Sequence, residues 1–253
     1  MNSETLKQEL RCCALAFAEK RGMKVDSSHS TAVFFSDIKD CFHPDSYQEI
    51  LKNPDRKARI QKTHSHVSGA KEMQSSNSSD ALLMNIFCHP EIGKWKGMSK
   101  LIGGEIDEVE FGFSGKVTCC DGKTDRTEID VRLTGCLCEA KLTESNFTTK
   151  RAEIVEKYVQ LKDVFHVESL PCKEDDYENY QLIRNFLAAA QHKRKHILFC
   201  DERRPDLVRR YMETVSCLRE VQHSTDCRVI FWQELVAVCG SSLRMWMKEK
   251  YGM

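Results

Sequence analysis

The stretch Thr127-Glu128-Ile129-Asp130-Val131-Arg132-Leu133-Thr134-Gly135-Cys136-Leu137-Cys138-Glu139-Ala140-Lys141-Leu142-Thr143-Glu144 decides how this chain folds. Apolar and polar residues alternate on either side of Thr134-Gly135, the pattern of two antiparallel strands joined by a tight turn. Alternate residues of a strand share a face. Ile129, Val131, Leu133, Cys136, Cys138, Ala140 and Leu142 are therefore expected toward the core, with Glu128, Asp130, Arg132, Leu137, Glu139 and Lys141 opposite. If Thr134-Gly135 is a two-residue loop, Asp130 stands directly across from Glu139. Like charges so placed destabilise a strand pair by roughly 0.2–1 kcal/mol, so the arrangement calls for open solvent or for a cation between them. Mg²⁺ suits the second case, because it takes oxygen ligands, commonly one or two carboxylates with substrate phosphate. Lys141 adds a positive charge on the same face. The competing reading is the charged side of an ordinary half-exposed hairpin.

An acid followed nine residues later by Glu-x-Lys on the next strand resembles the PD-(D/E)xK nuclease superfamily. Thr127-Glu128-x-Asp130 with Glu139-x-Lys141-x-Thr143-Glu144 resembles one bacterial branch of restriction-endonuclease-like proteins in particular. The Ser-rich lead-in to Ala81-Leu82-Leu83-Met84-Asn85-Ile86-Phe87 and the phrase Gln181-Leu182-Ile183-Arg184-Asn185 resemble the same branch, so the likeness runs from about Ser75 to Val238. It implies an α/β fold with a restriction-endonuclease-like mixed β-sheet core flanked by helices over 75–253, behind a helical N-terminal extension over 1–74. It also implies a DNA endonuclease in which Asp130 and Glu139 hold Mg²⁺ or Mn²⁺ and Lys141 assists attack by water, with Glu128 and Glu144 in support. A further acid from the preceding element often joins such sites; Glu105, Asp107, Glu108 and Glu110 are candidates, and Glu110 is chosen. Gln181 or Arg184 would reach phosphate or the attacking water, Arg through its fork of donors. A homodimer is implied by the resemblance alone. The alternative is a nuclease-fold module that binds nucleic acid or protein without hydrolysis. Loss of Asp130, Glu139 or Lys141 is expected to abolish cleavage and leave folding nearly intact.

The bulk properties are permissive. The chain's 253 residues suffice for a large α/β domain. Lys and Arg total 38 against 38 Asp and Glu, so any nucleic-acid surface must be a local patch. The residues Lys52, Arg56, Lys57, Arg59, Lys62, His64, His66 and Lys71 form the clearest basic run, although Asp45, Glu49, Asp55 and Glu72 interrupt it. Without an apolar run long enough for a signal or a membrane span, the 13 cysteines read as reduced thiols of a cytoplasmic protein. None lies in a C-x-x-C pair. Cys119, Cys120, Cys136 and Cys138 would form a zinc site only if their strands met, and His64-x-His66 reads as a polar loop.

Elsewhere periodicity predicts an amphipathic helix from about Glu4 to Arg21 stopped by Gly22, and a helix to about Leu51 capped by Asp45. A second helical piece is expected after Asn53-Pro54, then a buried helix over Ala81–Phe87 and a strand over Val109–Val117. Beyond the hairpin the readings are helices over Lys150–Phe165 and Asp176–Gln191, a strand over His196–Cys200, a helix over Pro205–Val221, a strand over Arg228–Trp232 and a last helix from about Gln233. That alternation favours parallel pairing through right-handed crossovers.

Overall fold

Five strands make the central sheet of the computed structural model, which describes residues 2–220 and 226–253. They are β1 (Val109–Ser114), β2 (Glu128–Leu133), β3 (Cys136–Ala140), β4 (Lys195–Cys200) and β5 (Cys227–Phe231), side by side in chain order. The first three pair antiparallel, whereas β3 with β4 and β4 with β5 run parallel. The helices used below are α1 (Ser3–Arg21), α2 (Pro44–Lys52), α3 (Pro54–Arg59), α4 (Ser79–Phe87), α5 (Tyr180–His192), α6 (Pro205–Val215), α7 (Trp232–Val238) and α8 (Ser241–Tyr251). Parallel neighbours need a crossover that carries the chain back, and α5 and α6 lie in the two crossovers. The result is a mixed α/β sheet flanked by helices, the restriction-endonuclease-like arrangement expected.

Helices cover both faces. One holds Leu83 and Met84 of α4 against Val131, Cys138 and Phe199, with Trp232 of α7 and Met247 of α8. Leu6, Leu10 and Phe17 of α1 join that same cluster, which ties the N-terminal helix to the sheet's core. On the other face Leu182 and Ile183 of α5 and Leu207 of α6 pack on Leu137 and Leu198. Strand β3 is consequently buried along its whole length, as befits a strand covered on both sides.

The hairpin closes as a two-residue loop, pairing Leu133 with Cys136, Arg132 with Leu137 and Val131 with Cys138. Thr134 Oγ1 holds the turn by accepting from the Asp107 and Glu108 amides at 3.0 and 3.1 Å. Beyond Val131 the strands part. There a side chain takes over, and Asp130 Oδ2 accepts the Ala140 N–H at 2.7 Å.

Two expectations about the hairpin change. Ile129 does not share a face with Val131 and Leu133 but packs with Leu137 in the other cluster. Gly112, on the neighbouring strand, sits at φ 67, and Phe111 and Phe113 on either side of it likewise pack toward opposite clusters. A left-handed residue inside a strand bends it and re-aims its side chains. The polar side is also half exposed on β2 only, because α5 lies over the β3 half and Glu139 is fully buried.

Further boundaries shift: the strand read over Val109–Val117 ends at Ser114, and the last helix divides into α7 and α8. The segment 150–165 is not one helix. Thr149–Arg151 forms a strand pairing antiparallel with Asp176–Glu178, followed by two four-residue helical turns, Ala152–Val155 and Leu161–Val164. The next helix starts at Tyr180 rather than Asp176, since Asn179 at φ 55 breaks the chain direction, a conformation Asn tolerates better than most residues. The cap of α2 is His43, whose ring accepts the Asp45 N–H, with Pro44 at the first helical position. Helix α6 ends at Val215, and Val221 lies outside the described residues. Cys119 packs against the second cluster and Cys120 is exposed, whereas Cys136 and Cys138 belong to the first, so these four do not converge. No helix among the described residues is long and apolar enough to cross a membrane.

Candidate active site

Where β2 and β3 part, the chain gathers carboxylates. Glu139 points from β3 under α5, and three groups brace it: Gln181 Nε2 donates to Oε1 at 2.6 Å, Asn185 Nδ2 donates to Oε2 at 2.7 Å, and the Lys141 ammonium lies 2.8 Å from Oε1. Gln181 also accepts from Lys141 Nζ at 2.9 Å, so one amide braces both members of the pair. Gln181 and Asn185 stand one helical turn apart on α5, the spacing that puts two side chains on one face.

Lys141 is held by its main chain as firmly as by its side chain. Its N–H donates to the Phe199 carbonyl at 2.8 Å, extending the β3–β4 pairing, and its carbonyl accepts from Trp232 Nε1 at 2.9 Å. The buried Arg204 guanidinium then pins the following loop through the Glu144 carbonyl at 2.8 Å. Burial pulls the Lys141 ammonium toward neutrality, yet Glu139, Glu144 and Asp130 outweigh it and set its pKa above the ordinary lysine value. It is therefore a fixed cation at neutral pH.

Asp130 has the opposite problem. Desolvation raises its pKa well above the usual carboxylate range, and Glu139 and then Asp80 push it further, against the smaller pull of Lys141 and the Ala140 amide. Asp80, in the first turn of α4, belongs to the same group of charges. Its own pKa is raised by desolvation, which outweighs the Arg59 guanidinium beside it. Arg59, at the end of α3, contacts both Asp80 oxygens at 3.1 and 2.9 Å and Glu128 at 3.0 Å. The open side of Gly112 leaves room for that guanidinium, since a Cβ there would collide with it.

The structure thus brings together Asp130, Glu139, Lys141, Gln181 and Asp80, with Glu144 at the edge. Glu144 accepts from Ser79 Oγ at 3.0 Å and from the Leu142 N–H at 2.7 Å, so it ties the loop after Lys141 to the start of α4. Glu128 is half exposed and paired to Arg59. Glu110 is not in the group: it pairs with Arg132 at 2.8 Å near the other end of β1. Nor is Arg184, which packs over Tyr180 at 4.6 Å and reaches Asp125 at 3.6 Å. Sequence reasoning did not assign Asp80 or Asn185 a place in the site, and it read Arg59 only as part of the basic run. Asn185 was legible from its spacing to Gln181. Asp80 was masked because an acid in the first turn of a helix usually reads as a dipole partner.

Chemically, the group offers hard oxygen donors, one fixed ammonium and buried amides that hold Glu139 in place. That donor set suits Mg²⁺ or Mn²⁺ over a soft metal.

The chain matches the model of a family described as restriction endonuclease associating with ARP over residues 18–252, and it belongs to that family. No curated protein and no solved structure matches it.

Proposed function

We propose that this member of a restriction-endonuclease family hydrolyses phosphodiester bonds in nucleic acid, DNA in the first instance, through a PD-(D/E)xK centre. The observation that supports the reading is that Asp130 interacts electrostatically with Glu139, Asp80 and Lys141 at the point where two strands separate. Asp130 and Glu139 would hold Mg²⁺ or Mn²⁺, and Asp80 extends the donor set in place of Glu110. When bound, such a cation supplies charge stabilisation at phosphoryl oxygens and lowers the pKa of water. Lys141 does its part as a cation. Because its surroundings keep it protonated, it orients a water or a phosphate oxygen and stabilises developing negative charge; it does not remove a proton. Gln181 and Asn185 fix the Glu139 carboxylate, so that little reorganisation remains when substrate arrives.

A single substitution tests the donor set. Asp80→Asn should abolish metal-dependent cleavage and weaken metal binding by calorimetry; wild-type cleavage by that variant would remove Asp80 from the centre. One observation favours a second reading, a nuclease-fold binding module: the Arg59 guanidinium already neutralises Asp80 without any metal. In that case nucleic-acid affinity would survive chelation and fall with salt through phosphate contacts alone. The family description also motivates a protein partner, ARP, as a proposal for this chain.

A further inference from the structure

Asp80 and Glu144 line a cleft of about 680 Å³ beside the buried Glu139, and one wall of it is made of rings. His29 and Phe34 have centroids 5.0 Å apart, Phe34 and His64 5.3 Å, and His64 and His66 6.2 Å. Phe34 is the buried member, whereas His66 is exposed and His29 and His64 are half-buried, so the histidines present the surface. Opposite stand Lys141, Gln181 and Asp80, which line the same cleft. The wall is also built firmly against the centre, because Phe34 bridges to Ser75 and Ser76 Oγ accepts from the Val33 N–H, a few residues before Asp80.

The rings are oriented. His64 Nδ1 accepts both the His66 and the Val67 N–H at 3.1 Å, which in the neutral ring leaves the proton on Nε2. Burial lowers the His64 pKa, so the ring is neutral at pH 7 and offers a π face with one donor instead of a charge.

Resting on the nuclease reading, we infer that this wall stacks an unpaired base, and that the substrate is single-stranded or locally unpaired nucleic acid. In a duplex each base face is covered by its neighbours, so a wall of rings gains nothing from it. An unpaired strand exposes base faces, and stacking on aromatic side chains is a sequence-tolerant source of its affinity. A base seated on the wall lays its phosphate toward Lys141 and Asp80, which line the same cleft.

The test uses the full chain in EDTA and a fluorescently labelled short oligodeoxynucleotide, single-stranded or annealed to its complement, with affinity read by anisotropy. Cleavage of both forms is then followed in Mg²⁺ and Mn²⁺. The variants are His64→Asn with His66→Ala, in which the Asn oxygen can still accept the loop amides, and His29→Ala outside that loop, each checked by thermal melting. The wild type should bind the single strand about tenfold or more tighter than the duplex, and both variants should lose most of that preference. Equal binding of both forms, or a preference the variants keep while cleavage persists, overturns the stacking wall and leaves the nuclease reading standing. Absence of both binding and cleavage for either form overturns the nuclease reading and the wall with it.

Discussion

Asp130→Asn should make the metal-free protein more stable while destroying its use for the carboxylate. The side chain is half-buried beside Glu139 and Asp80, and its raised pKa marks the ionised form as disfavoured there, first by desolvation and then by those two acids. A folded pKa above the unfolded one means a destabilising contribution at pH 7 that disappears as pH falls through the raised value. Asn keeps the size and the acceptor for the Ala140 N–H, which Asp130 Oδ2 binds at 2.7 Å, and removes only the charge. Like carboxylates facing across strands cost up to about 1 kcal/mol when exposed, and partial burial adds to that, so a gain of about 1–2 kcal/mol follows. For a chain of this size each kcal/mol corresponds to roughly 2–4 °C in Tm. Thermal scans in EDTA at pH 7.5 should show that rise. Added Mg²⁺ should then lift the wild-type Tm, by binding only the native state, and leave Asp130→Asn where it was. The wild-type response to Mg²⁺ should weaken at lower pH, since the cation must displace the proton. A variant less stable than wild type in EDTA, or one that Mg²⁺ stabilises equally, would refute the reasoning.

Other outcomes follow from burial. Glu139→Ala strands the buried Lys141 and two amides, so it should lose about 3–5 kcal/mol in urea denaturation, whereas Lys141→Ala leaves Glu139 its Gln181 and Asn185 donors and should lose only about 1–3 kcal/mol. The burial of Glu139 therefore makes Lys141→Ala the cleaner probe of the expectation that each of the three can be removed with folding nearly intact. Lys250 is buried among Phe35, Trp246 and Tyr251, and desolvation lowers its pKa to about 8 from 10.5. Between those values the unfolded state binds the extra proton, so wild-type stability should rise with pH across that window relative to Lys250→Met. The variant should be more stable at pH 7 by up to about 3 kcal/mol, since the Cys41 carbonyl that Lys250 binds also accepts from Asn85; parallel pH curves would contradict this. Gly112→Ala places a Cβ at φ +67 and against the Arg59 guanidinium, so it should lose about 1–2 kcal/mol from the backbone alone, read as a lower Tm, and free Asp80 from Arg59.

The hairpin was readable because its loop length fixes its register, but the direct pairing expected between Asp130 and Glu139 does not form, since the strands part beyond Val131 and Asp130 turns to the Ala140 N–H. What covers a strand is a tertiary fact, and so the burial of Glu139 under α5 was not written in the alternation. Alternation also assumes a regular pleat, which Gly112 breaks, and Ile129 was misplaced for that reason. The helix read over Lys150–Phe165 has apolar residues at helical spacing, but Tyr177 and its neighbours offered a strand partner that no local window contains. Asp80 lies fifty residues before Asp130, and only the packing of α4 on the sheet carries it there. Glu110, close in sequence to the motif, lost out because it sits at the end of β1 beside Arg132.

The central claim is that these carboxylates and Lys141 form a hydrolytic centre, and the most direct measurement is cleavage of circular DNA. Supercoiled duplex and circular single-stranded DNA would each be incubated with wild type and with Lys141→Ala, in Mg²⁺, Mn²⁺ or EDTA, after confirming that both proteins are folded. The account predicts metal-dependent strand breakage by the wild type, none in EDTA, and a loss of at least about a hundredfold in the variant. Undiminished breakage by Lys141→Ala, or none by the wild type together with no metal binding in calorimetry, would contradict it.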